Sequence, residues 1–539
     1  MNERLSEKFN FRLMPRSLGL RIVMGIGLIA EAFFVVLLLV LNILPSTYTI
    51  AILAALLAID VLLILLINAS KKTNLMRVTG LIIFMLLMNL LLVGDFYIYS
   101  TYDTMQKISK YRATWEIYNV ITLRGGKYNQ IGDINGEKVK VLDMDSKQLT
   151  EAKERLVTKE NVSYEKSDNL ITLGREILPE KGDKNDVVIL ATNPQYKTLN
   201  NQIAGFKNST QSIYKIKVRK RSDDSTKRID VRVDSFNVLI SGKDIWGKLK
   251  SDKSGLSDVN MVMTVNPKTK HVLLTSIPRD SYVPLHSYGA KDKLTHTGIY
   301  GEEETKKTIE DFLDIDINYG ITVNFSMLVD LIDAIGGIDV YSEYEFDSAI
   351  HDCHYKKGWN HLKGKPALYF ARERKAFADG DMQRNKNQQK VLKATIEKVT
   401  SSKVIMTRYS SILNSVEDKM YTDLSDRDLR MLARLTIRSM HTGWKVDTVN
   451  ITGGTGGAPC FSMGNQNLSC VFPSEESVEE AKTAIHDTMF PVDNTIQKPS
   501  EENNAGENNA GENSTEETTT ENTNTEETQA EETTSDQVQ

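Results

Sequence analysis

Cysteine is nearly absent: the chain has three in 539 residues, which excludes a fold held by a dense disulfide framework. No charge of one sign prevails, with 66 basic against 71 acidic residues and a formal charge of −5. Long apolar runs are missing after residue 99, and large apolar side chains are nearly missing after residue 493. These two absences cut the chain into three unlike parts: an apolar stretch at 1–99, mixed soluble sequence at 100–493 and a polar tail. From Asn494 onward the tail holds 12 acidic residues and a single Lys. The rest is therefore mildly basic, which favours anionic partners weakly. The tail repeats Asn-Asn-Ala-Gly-Glu and then runs into Thr and Glu. Such a composition cannot bury enough apolar surface to offset chain entropy, so residues 494–539 read as a disordered acidic spacer.

What the first hundred residues do contain is three apolar runs, at 22–44, 48–68 and 78–99. About 20 apolar residues cross a bilayer core as a helix, and three such runs are too many for a cleaved signal peptide. Their flanks set the orientation. Arg4, Lys8, Arg12, Arg16 and Arg21 precede the first run, Lys71, Lys72 and Arg77 follow the second, and the 45–47 connection is uncharged. Positive flanks stay cytoplasmic. Residues 1–21 and the second loop are then inside, and everything after Tyr99 is outside. Glu31, Asp60 and Asp95 lie within the runs; they read as partners between helices or at an interface rather than as an intramembrane site.

The outer region opens with short strand and helix signals at 139–142, 147–157 and 187–190, the mark of a small α+β accessory domain over 100–230. The basic stretches at 215–221 and 227–232 read as solvated hairpin edges, where Lys and Arg block self-pairing. Residues 231–493 then interleave strands and helices. Residues 236–240, 261–265 and 272–277 are β-rich, with a turn at Asn266-Pro267-Lys268. Residues 325–335 carry apolar positions at 327, 328, 331, 332 and 335, one face of a helix that Gly336-Gly337 caps. A second amphipathic helix follows Arg384. An α/β fold, a mixed sheet with helices packed on it, is the economical reading.

Charged residues gather at the predicted strand ends. Asp244 follows the first strand, Asp258 precedes the second, and Arg279-Asp280 follow the third after Pro278. Strand ends are where sites collect in layered α/β folds. Paired carboxylates there repel one another unless a hard cation such as Mg²⁺ neutralises them, although turns and caps also use Asp freely. Arg372 and Arg374 are two positions apart, so on one helix they would point about 200° apart. Both reach one site only if the chain leaves the helix there. Asp379-Gly380-Asp381 should make a turn, with a new helix opening near Arg384. Arg384 and Gln388 then stack as i and i+4, and a helix N-terminus with Arg favours phosphate. Neither Ser241 nor Ser257 has a readable base partner, which argues against a Ser-His-Asp hydrolase. Cys460 and Cys470, ten apart and outside the membrane, are spaced for a disulfide. Cys353 lies among His351, Asp352 and His354, but adjacent ligands make an awkward metal site.

Seven stretches then fall in a familiar order: FNVLISGKD at 236–244, LSDVNMVMT at 256–264, VLLTSIPRDSYVPL at 272–285, KLTHTGIYG at 293–301, NFSMLVDLIDAIGGIDV at 324–340, YFARER at 369–374 and GDMQRNKNQQKVLK at 380–393. This region resembles the LytR-CpsA-Psr catalytic domain. The three spans and the accessory region resemble the streptococcal capsule-associated, CpsA-like branch. The resemblance implies a Mg²⁺-dependent (or Mn²⁺-dependent) phosphotransferase of a Gram-positive plasma membrane. It would move a glycopolymer, capsular or teichoic-acid-like, from a polyprenyl-pyrophosphate carrier to peptidoglycan outside the cell. It implies that Asp244 and Asp258 hold the metal and that Arg279, Arg372, Arg374 and Arg384 grip the pyrophosphate. Lys293 and Gln388 would lie at the same head-group site, and Asp280 would orient Arg279. Other proteins of capsule synthesis in the same membrane are further implied partners.

Two positions depart from the pattern. Many relatives carry an Arg just after the first motif's Asp, where this chain has Ile245-Trp246, and another three residues after the one at Arg384, where it has Asn387. Both changes remove positive charge near the head group. Two other readings stay open: a polyprenyl-pyrophosphate binder or pyrophosphatase, with water as acceptor, and a membrane regulator of capsule synthesis. A nucleic-acid partner is not expected, since residues 1–21 and a short loop are too small for a helix-turn-helix.

Overall fold

The computed structural model describes residues 18–68, 74–110, 113–144, 146–178, 186–221, 229–243, 246, 247, 249, 256–349, 351–378, 380–439 and 442–491. The expected tail lies outside these residues.

Three helices open the chain: α1 (Leu18–Leu41), α2 (Ser46–Asn68) and α3 (Asn74–Lys110). Each holds a segment long and apolar enough to cross a membrane. Phe34, Leu38, Leu56, Leu63, Leu87 and Leu91 pack between them, while most other apolar side chains point outward, as lipid-facing residues do. Glu31 of α1 and Asp60 of α2 are neighbours, a place between helices, which is one of the two placements expected from sequence. The third helix does not stop at Tyr99 but runs on to Lys110. Its last turns are held by Thr101 and Lys107, whose side chains bond Tyr409 Oη (2.6 Å) and Glu417 Oε1 (2.6 Å).

A five-stranded sheet follows: β1 (Ala113–Leu123), β2 (Lys138–Leu142), β3 (Ser163–Ser167), β4 (Val188–Thr192) and β5 (Thr210–Arg221), in the order β3-β2-β4-β1-β5. Helices α4 (Lys147–Glu160), α5 (Leu170–Glu176) and α6 (Asn193–Gln202) lie between these strands in sequence. The basic strand β5 is an edge, which gives its Lys and Arg the blocking position expected of them.

The larger sheet comprises β6 (Phe236–Lys243), β7 (Ser257–Asn266), β8 (His271–Ile277), β9 (Tyr319–Asn324), β10 (Met420–Thr422) and β11 (Lys445–Asn450), ordered β10-β9-β6-β7-β8-β11. Parallel and antiparallel pairs both occur, so the sheet is mixed as expected: β9 runs parallel to β6 and β11 to β8, while β6-β7 and β7-β8 are antiparallel. Leu239, Val262 and Leu273 face one side, with Ile309 of α7 (Glu302–Leu313) and Ala481 and Ile485 of the last helix. Val238, Ile240, Met261 and Leu274 face the other, against Leu392 and Ile396. On that side lie α8 (Phe325–Ala334), α9 (Gly364–Arg372), α10 (Gly380–Val399), α11 (Ser402–Val416) and α12 (Asp426–Ser439). A hairpin, β12 (Gly453–Cys460) with β13 (Gln466–Pro473), and α13 (Glu475–Met489) complete the fold.

The apolar stripes of α8 and α10 meet in the interior. Leu331, Ile332, Phe370, Ala371 and Val391 share one core between α8, α9 and α10.

Candidate functional site

Register places the site before any side chain is considered. Lys243 pairs with Asn324 on one side and Ser257 on the other; Asn260 pairs with Ile277, and Ser276 with Asn450. The ends of β6, β8, β9 and β11 and the start of β7 therefore lie along one edge of the sheet. Between Gly242 and Lys243 the β6-β7 register shifts by one. Gly242 faces Val259 and Lys243 faces Ser257, which leaves Asp258 as the extra residue of a β-bulge. A bulge re-aims its side chain, and Asp258 turns to the Arg279 guanidinium, which it binds directly.

Arg279 also approaches Asp280, with Nε 3.5 Å from Oδ1, and Lys293 Nζ reaches the same oxygen at 3.4 Å. Asp258, Arg279, Asp280 and Lys293 are thus one alternating chain of charge, each half-buried or nearly so. The backbone fixes it. Thr295 N–H donates to Arg279 O (2.8 Å), Leu294 N–H to Ser281 O (2.8 Å), and Thr295 Oγ1 to Ser257 O (3.0 Å). Asp280 thus lies within reach of both cations. Ser257 donates its hydroxyl to Val259 O at 2.7 Å, a backbone tie rather than a nucleophile's arrangement.

The second group of Arg follows from how α9 ends. Its last residue is Arg372, and Glu373 is extended at φ −66°, ψ 132°. The chain leaves the helix between Arg372 and Arg374, as their spacing demanded. Arg372 lies over the Phe325 ring, 4.4 Å from its centroid, at the end of β9. Phe325 in turn meets the exposed Trp246 edge-on, and Gly247 is tied to α8 by Ser326 Oγ (2.8 Å) and to Asn324 Nδ2 (2.6 Å). Arg374 is exposed on the following loop.

The new helix opens at Gly380, one turn earlier than expected. A Cβ there would lie 2.5 Å from Arg374 O, so only glycine lets the loop fold back that closely. Arg384 is consequently buried within α10 rather than at its first residue. Gln388 is half-buried beside Gln389, whose amide donates to Leu274 O and Val449 O and ties α10 to β8 and β11. Asp258, Arg279, Asp280 and Lys293 are thus in direct contact. Arg372 stands at the neighbouring strand end, Arg374 follows on the α9–α10 connection, and Arg384 and Gln388 lie in the first turns of α10. Asp244 lies outside the described residues.

Several residues here had no readable signal of their own. Glu373 is almost fully buried and accepts from the N–H groups of Arg374, Lys375, Ala376 and Ala349 and from Ser348 Oγ. Burial pushes its carboxyl up, but Ser348 and these N–H groups outweigh it and hold the group below the usual carboxylate range. Asn387 is buried and donates to Phe370 O (3.3 Å) while accepting from Gln383 (3.0 Å). It links α10 to the last turns of α9, a job that an Arg there would not do in this space. Lys243 is buried with Nζ 3.5 Å from Glu302 Oε1. Cys460 and Cys470 are free thiols with sulfurs 3.8 Å apart.

The carboxylate of Asp258 is a hard oxygen donor at the cationic edge, which suits a hard divalent ion. The surrounding guanidinium and ammonium groups suit an anion with several oxygens.

The chain is similar to several known proteins. The LytR_cpsA_psr family model matches residues 203–487. The polyisoprenyl-teichoic acid–peptidoglycan teichoic acid transferase TagU of Enterococcus faecalis is 35% identical over 219 residues, 40% of this chain and 71% of that protein. The Bacillus cereus protein of the same name is 37% identical over 190 residues, 35% of this chain and 60% of its own length. TagV of Bacillus subtilis is 31% identical over 269 residues, 48% and 66% of the two chains; its crystal structure superposes with a TM-score of 0.39 at 29% identity, over 48% of this chain and 97% of that one. The family match takes in β6 to β11, the bulge at Asp258 and both Arg groups, and on that ground the chain belongs to the LytR_cpsA_psr family.

Proposed function

We propose that this protein transfers a glycopolymer from a polyprenyl-pyrophosphate carrier to a peptidoglycan hydroxyl on the outer face of the membrane. The observation that carries the reading is the linked Asp258–Arg279–Asp280–Lys293 cluster at the sheet edge, with Arg372 beside it. The names of its relatives support the substrate class. In the reaction the acceptor oxygen forms a new bond to the phosphorus that bears the glycan. The bridging P–O bond breaks, polyprenyl phosphate leaves, and the hydroxyl proton is lost to solvent or a nearby base. Charge builds on the bridging and non-bridging oxygens, where fixed guanidinium groups lower the barrier without a covalent intermediate.

In this reading Arg279, Arg372, Arg374 and Arg384 hold the pyrophosphate, with Lys293 and Gln388 at its edge and Asp280 keeping Arg279 and Lys293 in place. Asp258, with Asp244, would hold Mg²⁺ or Mn²⁺, which when bound supplies further neutralisation of phosphate charge. Residues 100–230 form an accessory domain and 231–493 the catalytic one. Three spans plus that accessory unit favour the capsule-associated branch of the family and a capsular or teichoic-acid-like polymer. Membrane anchoring keeps enzyme and lipid substrate in one two-dimensional phase.

The test is polymer attachment in cells. Asp258→Ala and Arg374→Ala should each abolish wall-bound polymer, by at least tenfold against wild type, and raise released polymer while the protein stays folded in the membrane. Unchanged attachment in both would defeat the proposal; carrier cleavage without attachment would replace transfer by hydrolysis.

A further inference from the structure

Directly behind the charged edge lies a second cluster that the proposed reaction does not use. Asp292, His296 and Cys460 are all buried, and their ligand-type atoms lie within 4.8 Å of one another. Cys470 lies next to this group, its sulfur 3.8 Å from that of Cys460. We propose that Asp292, His296, Cys460 and Cys470 form a closed binding site for a borderline-soft divalent ion of the zinc class.

Three observations carry it. The first is spacing. Two thiolates on one tetrahedral zinc, at about 2.3 Å each, stand about 3.8 Å apart, whereas a disulfide brings sulfurs to about 2.05 Å. The second is donor chemistry. One imidazole, one carboxylate and two sulfurs are a set that favours zinc over the hard ions suited to Asp258. The third is how the donors are held. Asp292 accepts from Lys293 N–H (2.7 Å) on Oδ1 and from Ser462 N–H (2.7 Å) on Oδ2. Ligands oriented in this way by backbone groups are typical of metal sites.

Charge also balances. Two thiolates and a carboxylate around a divalent ion leave one negative charge, and the Lys293 ammonium is an electrostatic neighbour of Cys470. Loading releases both thiol protons and breaks the His296–Asp292 hydrogen bond.

The position gives the site a purpose. The hairpin β12-β13 packs its Ala458, Cys460 and Cys470 into one core with Leu170, Ile189 and Leu199 of the five-stranded sheet unit and with Leu285 and Tyr300. It also meets the charged edge, where Val471 N–H donates to Asp280 O at 2.9 Å. An ion here would staple the smaller sheet, the hairpin and the Arg279-Asp280 segment together. All donors are enclosed, which marks a structural site rather than a catalytic one.

The test is metal content of the full chain purified in detergent without chelators, then equilibrated with a zinc buffer. One zinc per chain is expected, with two thiols protected from alkylation until the ion is removed. Cys460→Ser and Cys470→Ser should each weaken zinc binding at least tenfold, and Cys353→Ser should leave it unchanged. Cobalt loading of the wild-type chain should give a thiolate-to-cobalt charge-transfer band, which keeps the test open should a variant misfold. A Cys460–Cys470 disulfide in the native protein, or two free thiols with no stoichiometric metal, would overturn the proposal. Neither result bears on polymer transfer, which is scored separately.

Discussion

Glu373 shows how a buried carboxylate can set the shape of the loop that carries an exposed arginine. Its two oxygens accept five hydrogen bonds, three of them from the backbone of the loop that carries Arg374. Glu373→Gln places an amide N–H₂ against donors and should cost about 2 kcal/mol of stability, read as a lower denaturant midpoint. The pH dependence has a definite sign. The folded carboxyl titrates below the usual value of about 4.3, so its contribution is full at neutral pH. It drains away as pH falls below that value through the folded pKa. The stability gap between wild type and Glu373→Gln should therefore be constant from pH 8 to 6 and shrink below pH 4.5; a gap that widens with acid would contradict this. The sequence made Arg279, Arg372, Arg374 and Arg384 visible because arginines clustered by motif are easy to see. It did not reveal Glu373, Asn387 or Lys243, because buried polar residues get their meaning from partners up to 59 positions away, as in Lys243 with Glu302.

Elements were legible wherever periodicity was strong. The strands at 236–243, 257–266 and 271–277 and the helix at 325–334 lie where the β-rich runs and the 3.6-residue stripe put them. The bulge at Asp258 was not, since a one-residue slip leaves composition unchanged. Nor was the start of α10, where the contact of Gly380 with Arg374 O overrides the turn signal of its flanking Asp residues. Close approach decides α9 as well. A Cβ on Gly364 would lie 2.3 Å from Val329 O, and its N–H donates to Asp333 Oδ1 at 2.8 Å. Gly364→Ala should push α9 off α8, destabilise the protein by about 1–3 kcal/mol and move Arg372 off Phe325. Thermal unfolding and polymer attachment in this variant should fall together. Full activity at wild-type stability would show that the α8–α9 contact does not position Arg372.

For the molecule as a whole, the unbroken helix α3 is the informative feature. It continues past the apolar run to bond α11 through Tyr409 and Glu417, and Arg434 of α12 donates to Leu44 O between α1 and α2 at 3.1 Å. The α11–α12 side of the larger sheet unit is thus docked on the ends of the apolar helices rather than hung from a flexible tether. This arrangement suits a substrate whose lipid stays in the bilayer. It also fixes an orientation that cysteine labelling can read. In a Cys353→Ser chain, Ser46→Cys should react with a membrane-impermeant maleimide added to intact cells, and Ser70→Cys should not; the reverse pattern would put the soluble region in the cytosol. The most direct examination of the electrostatic claim is a reconstituted transfer assay. The purified chain would be supplied with Mg²⁺, a polyprenyl-pyrophosphate-linked glycan and peptidoglycan, and wild type compared with Arg279→Ala and Asp258→Asn, both checked for a native melting transition. Loss of at least a hundredfold in rate, about 2.7 kcal/mol of transition-state stabilisation, is expected for each. Rates within twofold of wild type in both variants would mean that the charged edge of the sheet does not handle the pyrophosphate.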